Sequence, residues 1–150
     1  MDASQSLKKC TLVLGGAASG KSFYAEQMVI GSQRARVYIA TSQIFDDEMR
    51  DKVDAHRMQR GPDWHTIEEP LDIAAALRQV TQEQVALIDC ATLWLSNHLL
   101  AEHDLDAEIT NFLAAIAACP APVVIVSNET GLGIVPDNAL ARRFRNAQGR

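Results

Sequence analysis

Thr-Leu-Val-Leu-Gly-Gly-Ala-Ala-Ser-Gly-Lys-Ser, residues 11–22, decides the fold. It opens as a short apolar run, and its last eight residues, Gly15, Gly16, Ala17, Ala18, Ser19, Gly20, Lys21 and Ser22, satisfy G-x-x-x-x-G-K-[ST]. The Phe-Tyr-Ala-Glu-Gln-Met-Val-Ile that follows reads as helix, so the stretch is strand, loop, helix. Glycines let the backbone curl until successive N–H groups and the helix N-terminus surround phosphate oxygens. In that setting Lys21 reaches the β- and γ-phosphate oxygens, and the Ser22 hydroxyl ligates Mg2+. A loop that merely turned a strand into a helix would not need a lysine and a serine at this offset. The motif points to nucleotide binding.

Outward from the loop, Arg-Val-Tyr-Ile-Ala (36–40), Val-Ala-Leu-Ile-Asp (85–89) and Pro-Val-Val-Ile-Val-Ser (122–127) read as three more strands. Residues 46–60 read as a helix with Met49, Val53, His56 and Arg60 on one face, stopped by Gly61 and Pro62. Pro70 fits the first turn of a helix running to about Val80, with Leu71, Ile73, Ala74 and Leu77 on its apolar side. Helices are also expected over 92–101 and 105–118, and from about Asn138 after a Gly-rich loop. Four apolar strands alternating with helices predict an α/β, P-loop nucleotide-binding fold with a mostly parallel sheet flanked by helices. Strand order is not readable from the pattern. Asp89 ends its strand where ligand crevices open in such sheets, which suits a carboxylate that helps hold magnesium; the alternative is a cap for the next helix.

The 150 residues suit one domain, and 47% hydrophobic with 22% charged residues suits a packed core. Fourteen Lys+Arg against nineteen Asp+Glu give a formal charge of −5, so no global positive field draws the chain to nucleic acid. Cys10, Cys90 and Cys119 are odd in number and widely spaced, which fits reduced thiols. His56, His65, His98 and His103 form no tight ligand pattern with them, and no zinc site is expected. With no apolar run long enough for a membrane span and no leader pattern at Met1–Lys9, a cytoplasmic protein is expected.

The second informative stretch is 46–60. One helix carries Asp46, Asp47, Glu48 and Asp51 in its first half and His56, Arg57 and Arg60 towards its end. His56 is open to three readings: general base, phosphorus nucleophile, or a satisfied polar residue beside Met49 and Val53. Arg57 and Arg60 lean towards phosphate chemistry, because guanidinium forks pair with phosphate oxygens bidentately.

At this point the chain resembles the bifunctional adenosylcobinamide kinase / adenosylcobinamide-phosphate guanylyltransferase family of cobalamin biosynthesis. The resemblance rests on the phosphate loop, Tyr-Ile-Ala-Thr-Ser (38–42), Asp-Asp-Glu-Met (46–49), His-Arg-Met-Gln-Arg (56–60), Trp-His-Thr-Ile-Glu-Glu-Pro (64–70), Ile-Asp-Cys-Ala-Thr-Leu-Trp-Leu-Ser-Asn (88–97), Ser-Asn-Glu-Thr-Gly-Leu-Gly-Ile-Val-Pro (127–136) and Leu-Ala-Arg-Arg-Phe-Arg-Asn-Ala-Gln-Gly (140–149), in family order. It implies two reactions: phosphorylation of adenosylcobinamide by ATP or GTP, then transfer of GMP from GTP to adenosylcobinamide-phosphate through a GMP-histidine that matches His56. By the same match Ala40, Thr41 and Ser42 line the nucleotide site, Arg57, Met58, Gln59 and Arg60 lie beside the histidine, and Glu68 and Asp89 are nucleotide-site positions, Asp89 with Ser22 on Mg2+. Without the resemblance, Glu68 reads as a solvated acid before Pro70.

The loop 128–136 reads as a substrate-contact loop at the ligand end of its strand, or as a tight surface connection. Ala18 departs from the family's usual arginine, and the family's final helix and strand are expected beyond Arg150. The resemblance also implies a homotrimer. Trp64 and Trp94 are candidates for stacking on cobinamide or a base, but Trp94, among Leu93, Leu95 and Leu99, reads rather as core packing or a subunit contact. Two rival readings are an ordinary small-molecule P-loop kinase with a structural His56, and a nucleotide-binding regulatory protein without catalysis.

Overall fold

Alternation along each strand builds two separate cores. The computed structural model describes residues 9–15, 21–43, 47–61 and 63–128. Within them the chain runs β1 (Cys10–Gly15), α1 (Lys21–Gly31), β2 (Ala35–Ala40), α2 (Asp47–Arg60), β3 (Trp64–Glu68), α3 (Ile73–Leu77), β4 (Gln84–Asp89), α4 (Ala91–Leu100), α5 (Leu105–Ala118) and β5 (Val123–Asn128). The strands pair in the order β1-β5-β4-β2-β3, and every pair is parallel. Val37, Ile39, Ala86, Ile88, Val123 and Ile125 face one side of the sheet and meet α3, α4 and α5 through Ile73, Trp94, Leu95 and Phe112. Their sequence neighbours Tyr38, Val85, Leu87, Val124 and Val126 face the other side, against Ala25 and Val29 of α1. Both faces are covered, which is why β4 and β5 read as unbroken apolar runs.

Trp94 is 1% exposed, with the Phe112 ring centroid 4.4 Å away. It is core, as one of its two readings held. Trp64 is also buried, edge-on to Tyr38 with the Arg36 guanidinium over its ring.

Two expectations are corrected. Among the described residues the sheet has five strands rather than four, because Trp64–Glu68 pairs with β2 as an edge strand. As an edge strand it is only partly covered, with Trp64 packed on one face and Ile67 on the other, so Trp-His-Thr-Ile-Glu carries too few apolar residues to stand out. The helix expected from Pro70 to Val80 is the short α3, which starts at Ile73. Glu69 Oε2 accepts the N–H groups of Leu71 and Asp72, and Asp72 then caps the helix by accepting from Ala75 N. Those side chains hold residues 69–72 in a turn and delay the helix.

Gly61 ends α2 as expected, at φ +90° with its N–H donated to Met58 O. The loop Gly16–Gly20, Pro62, the segment 129–136 and the helix expected from Asn138 lie outside the described residues.

Candidate active site

All five strands being parallel, their carboxyl ends share one edge of the sheet. Glu68, Ala40 and Asp89 sit in a single row across β3, β2 and β4, and Val126 of β5 continues it. Gly15, where the phosphate loop begins, is in register with Asn128 on β5, so one strand separates it from Asp89. Lys21 opens α1 after the loop. Residues read from four separated stretches of sequence thus converge on one crevice edge, the place where open parallel sheets bind ligands.

Asp89 accepts a hydrogen bond at Oδ2 from the Tyr38 hydroxyl, 2.5 Å away. The N-cap of α4 is Cys90, its Sγ accepting from Leu93 N.

Thr41 is fully buried, and its polar groups are engaged within the protein. Its N–H donates to Asp89 O at 3.2 Å, and its hydroxyl donates to Cys90 O and accepts from Cys90 N, both at 2.8 Å. Its carbonyl accepts from Asn97 Nδ2 at 2.8 Å. The same amide donates to Pro70 O at 2.9 Å. Asn97, 5% exposed on α4, thereby ties the segment after β2 to the segment after β3. Beside it, Trp94 Nε1 and His98 Nε2 both donate to Leu71 O, at 2.8 and 2.9 Å. One face of α4 holds the turn that follows Glu68.

Helix α2 leaves the same edge. Its Arg50 guanidinium lies 3.4 Å from Glu68 Oε1 and 3.6 Å from Asp54 Oδ1, with both ends of the Glu68 pair more than two-fifths exposed. His56 follows Arg50 on that helix, about 9 Å further along its axis by the helical rise. Arg57 and Met58 are exposed, while the side chains of Lys21, Ser22, His56, Gln59 and Arg60 lie outside the described set. Ala40 and Ser42 are half-buried.

Tyr38, Arg50 and Asn97 carry much of this architecture without having been singled out from sequence. Asn97 had a visible signal, an amide inside an otherwise apolar helix. Tyr38 and Arg50 had none, since their partners come from other strands. Among the described residues, no disulfide joins Cys10, Cys90 and Cys119. Two of the histidines, by contrast, do meet in space. His98 Nδ1 lies 2.8 Å from His103 Nδ1.

The sequence profile described as cobinamide kinase / cobinamide phosphate guanyltransferase matches residues 11–150. The chain belongs to that family. It is 45% identical to the bifunctional adenosylcobalamin biosynthesis protein CobP of Pseudomonas aeruginosa over 141 residues, covering 92% of this chain and 82% of the relative. It is 40% identical to CobU of Escherichia coli, covering 93% of this chain and 85% of the relative, and 41% identical to CobU of Salmonella typhimurium with the same coverage. Membership of the cobinamide kinase / guanyltransferase family makes the chain an enzyme, a transferase with kinase and guanyltransferase chemistry on cobinamide and its phosphate. The flagellar accessory protein FlaH of Methanocaldococcus jannaschii has a solved structure that aligns with 92% of this chain and 67% of its own, with TM-score 0.53 and 13% identity. That likeness concerns the fold alone. Among the described residues, no helix is long and apolar enough to cross a membrane.

Proposed function

We propose that the chain phosphorylates adenosylcobinamide with ATP or GTP and then guanylylates the product through GMP carried on His56. The observation that carries this reading is the shared carboxyl edge, where Gly15, Ala40, Glu68 and Asp89 end their strands and the His56 helix sets out. In the first step the γ-phosphoryl group leaves the nucleotide and bonds to the substrate's hydroxyl oxygen, whose proton is released. In the second, a lone pair of the His56 imidazole attacks the α-phosphorus of GTP, the α–β bridging bond breaks and pyrophosphate departs. A phosphate oxygen of adenosylcobinamide-phosphate then displaces the imidazole, giving adenosylcobinamide-GDP and restoring the histidine.

In this reading Gly15, Gly16, Ala17, Ala18, Ser19 and Gly20 cradle the phosphates, Lys21 reaches the β- and γ-oxygens, and Arg57, Met58, Gln59 and Arg60 flank the histidine. Ala40 and Ser42 border the nucleotide, while Thr41 positions the edge from within. Asp89 fits Mg2+ by chemistry: it offers a hard carboxylate oxygen at the crevice, oriented by Tyr38, with the Ser22 hydroxyl as its companion. When bound, Mg2+ offsets the charge that develops on the transferred and departing phosphates. The assembly proposed is a homotrimer; Leu93 and Leu100, 40% and 71% exposed on α4, are apolar surface that a subunit contact would cover.

GTP labelled separately at the α- and γ-phosphates tests the reading. The α label is expected to stay on denatured wild-type protein and to be absent from His56→Ala. Wild-type protein that binds GTP and Mg2+ without retaining α label overturns the covalent step. Continued kinase turnover in that preparation then selects an ordinary small-molecule kinase, and loss of both activities selects a nucleotide-binding regulator.

A further inference from the structure

The turn between α4 and α5 is built around two histidines. Helix α4 ends in a 6→1, 5→2 pair of hydrogen bonds, His103 N–H to His98 O and Glu102 N–H to Leu99 O, with Glu102 at φ +60°. This is the Schellman arrangement, which ordinarily puts glycine at the left-handed position and an apolar contact between the residues that here are His98 and His103. A glutamate takes the left-handed place instead, and two imidazoles replace the apolar contact, facing each other through Nδ1 at 2.8 Å. Asp104 then caps α5 by accepting from Ala107 N, and Glu108 N–H donates to Asp104 O. The first turn of α5 so returns the Glu108 carboxylate to 3.7 Å from His98 Nε2.

His98 is 3% exposed and its Nε2–H donates to Leu71 O, a bond that leaves Nδ1 as its lone-pair nitrogen. A histidine whose far nitrogen donates to a backbone carbonyl is oriented as metal-bound histidines are. One donor atom from each of His98, His103 and Glu108 lies within 4.8 Å of the others. Donors about 2.0–2.1 Å from a tetrahedral ion stand about 3.3 Å apart. To reach that spacing the imidazole pair opens slightly from 2.8 Å, and the half-buried Glu108 carboxylate, which stands beside Nε2, swings towards Nδ1 while the exposed His103 turns with it. The cluster borders a cavity of about 610 Å³, also lined by Leu71, Asp72 and Trp94, which leaves a fourth position for water.

We infer that His98, His103 and Glu108 bind a borderline divalent transition-metal ion, with Zn2+ as the best-matched species, at a site separate from the nucleotide crevice. Two imidazoles and one carboxylate suit Zn2+, whereas Mg2+ and Ca2+ prefer all-oxygen shells. Binding needs no redox partner. The hydrogen now shared between the two Nδ1 atoms belongs to His103, because His98 already carries its own on Nε2; it moves to His103 Nε2, which frees both Nδ1 lone pairs. Through His98 and Leu71, the ion fixes the α4–α5 turn against the segment that follows β3.

The test uses the full chain, stripped with chelator, dialysed against micromolar Zn2+ and assayed for metal by mass spectrometry. His103→Ala and Glu108→Gln are the comparison proteins, both altered at side chains outside the core. Wild type is expected to retain one more zinc per chain than His103→Ala, with Glu108→Gln weakened at least tenfold. Zn2+ is expected to raise the melting temperature of wild type and not of His103→Ala, and Co2+ to give wild type a tetrahedral visible spectrum that the variant lacks. Equal zinc content and equal melting shifts in wild type and His103→Ala overturn the site, because any zinc held is then on other groups. So does wild-type protein that retains no zinc.

Discussion

The Tyr38 hydroxyl donates to Asp89 Oδ2 at 2.5 Å, across the neighbouring strands β2 and β4. Tyr38 is 5% exposed and its ring packs in the core beneath the sheet edge, so a rigid, buried phenol orients a carboxylate at the mouth of the crevice. Removing only the hydroxyl keeps the packing and takes away one of the bonds that orient the carboxylate. Tyr38→Phe is therefore expected to cost about 1–2 kcal/mol in urea unfolding. It should also lower the apparent Mg2+ affinity in both transfer reactions by about tenfold, the scale seen when a ligand loses its supporting hydrogen bond. Unchanged Mg2+ dependence in a folded Tyr38→Phe protein would separate Asp89 from the metal.

Asn97 holds two loops with one amide. Its Nδ2 donates to Thr41 O, which is buried, and to Pro70 O, which is half-buried. Asn97→Ala leaves two carbonyls short of a donor and is expected to destabilise by about 2–4 kcal/mol. Asn97→Asp should be worse, since a carboxylate has no hydrogen to give and sets negative charge against two carbonyl oxygens. Chemical denaturation orders the three proteins as wild type, Asn97→Ala, Asn97→Asp. A different order means the amide is oriented the other way.

Local chemistry made the four apolar strands and the helix that opens at Lys21 legible, because each is a short pattern whose meaning is contained within it. The glycine stop of α2 was legible for the same reason. β3 was not, since Trp-His-Thr-Ile-Glu becomes a strand only when β2 offers it an edge. The start of α3 was misread because Pro70 suits a first helical turn, while Glu69 and Asp72 compete for the same backbone N–H groups and hold the turn open. Asp89 was readable as the last residue of its strand, and Lys21 as the residue that opens a helix. That Glu68 shares a row with Asp89, and that Tyr38 and Asn97 brace the edge, follow from strand order and helix docking, which are non-local. His98 and His103 illustrate the same limit: their meeting depends on a left-handed Glu102 that no propensity favours.

Glu68 and Arg50 lie 3.4 Å apart, with side chains 41% and 46% exposed, so solvent screens most of their attraction. Arg50→Ala is expected to change stability by no more than about 0.5 kcal/mol. Glu68→Gln should likewise leave the melting temperature nearly unchanged. Its effect belongs to binding: loss of a charged acceptor at the row shared with Asp89 is expected to raise the KM for nucleotide about fivefold, equivalent to ~1 kcal/mol. A stability loss without a KM change would make Glu68 a structural partner of α2 and remove it from the nucleotide site.

Among the described residues, α1, α2 and α4 are each followed by a left-handed residue, and they answer that demand differently; α1 uses Gln33 at φ +61°. α2 uses Gly61 at φ +90°, whereas α4 uses Glu102 at φ +60°. A Cβ at Gly61 would meet nothing within 4 Å, so the cost of Gly61→Ala is purely conformational. It is expected at about 1 kcal/mol, the penalty that an L side chain incurs in this region. The converse change, Glu102→Gly, relieves that penalty at an exposed position and is expected to stabilise by about 0.5–1 kcal/mol, part of the gain being offset by the greater freedom glycine gives the unfolded chain. Both are read from urea midpoints at constant m-value. Glu102→Gly destabilising the protein would mean that the glutamate side chain holds the α4–α5 turn by contacts of its own, beyond the backbone bonds to His98 and Leu99.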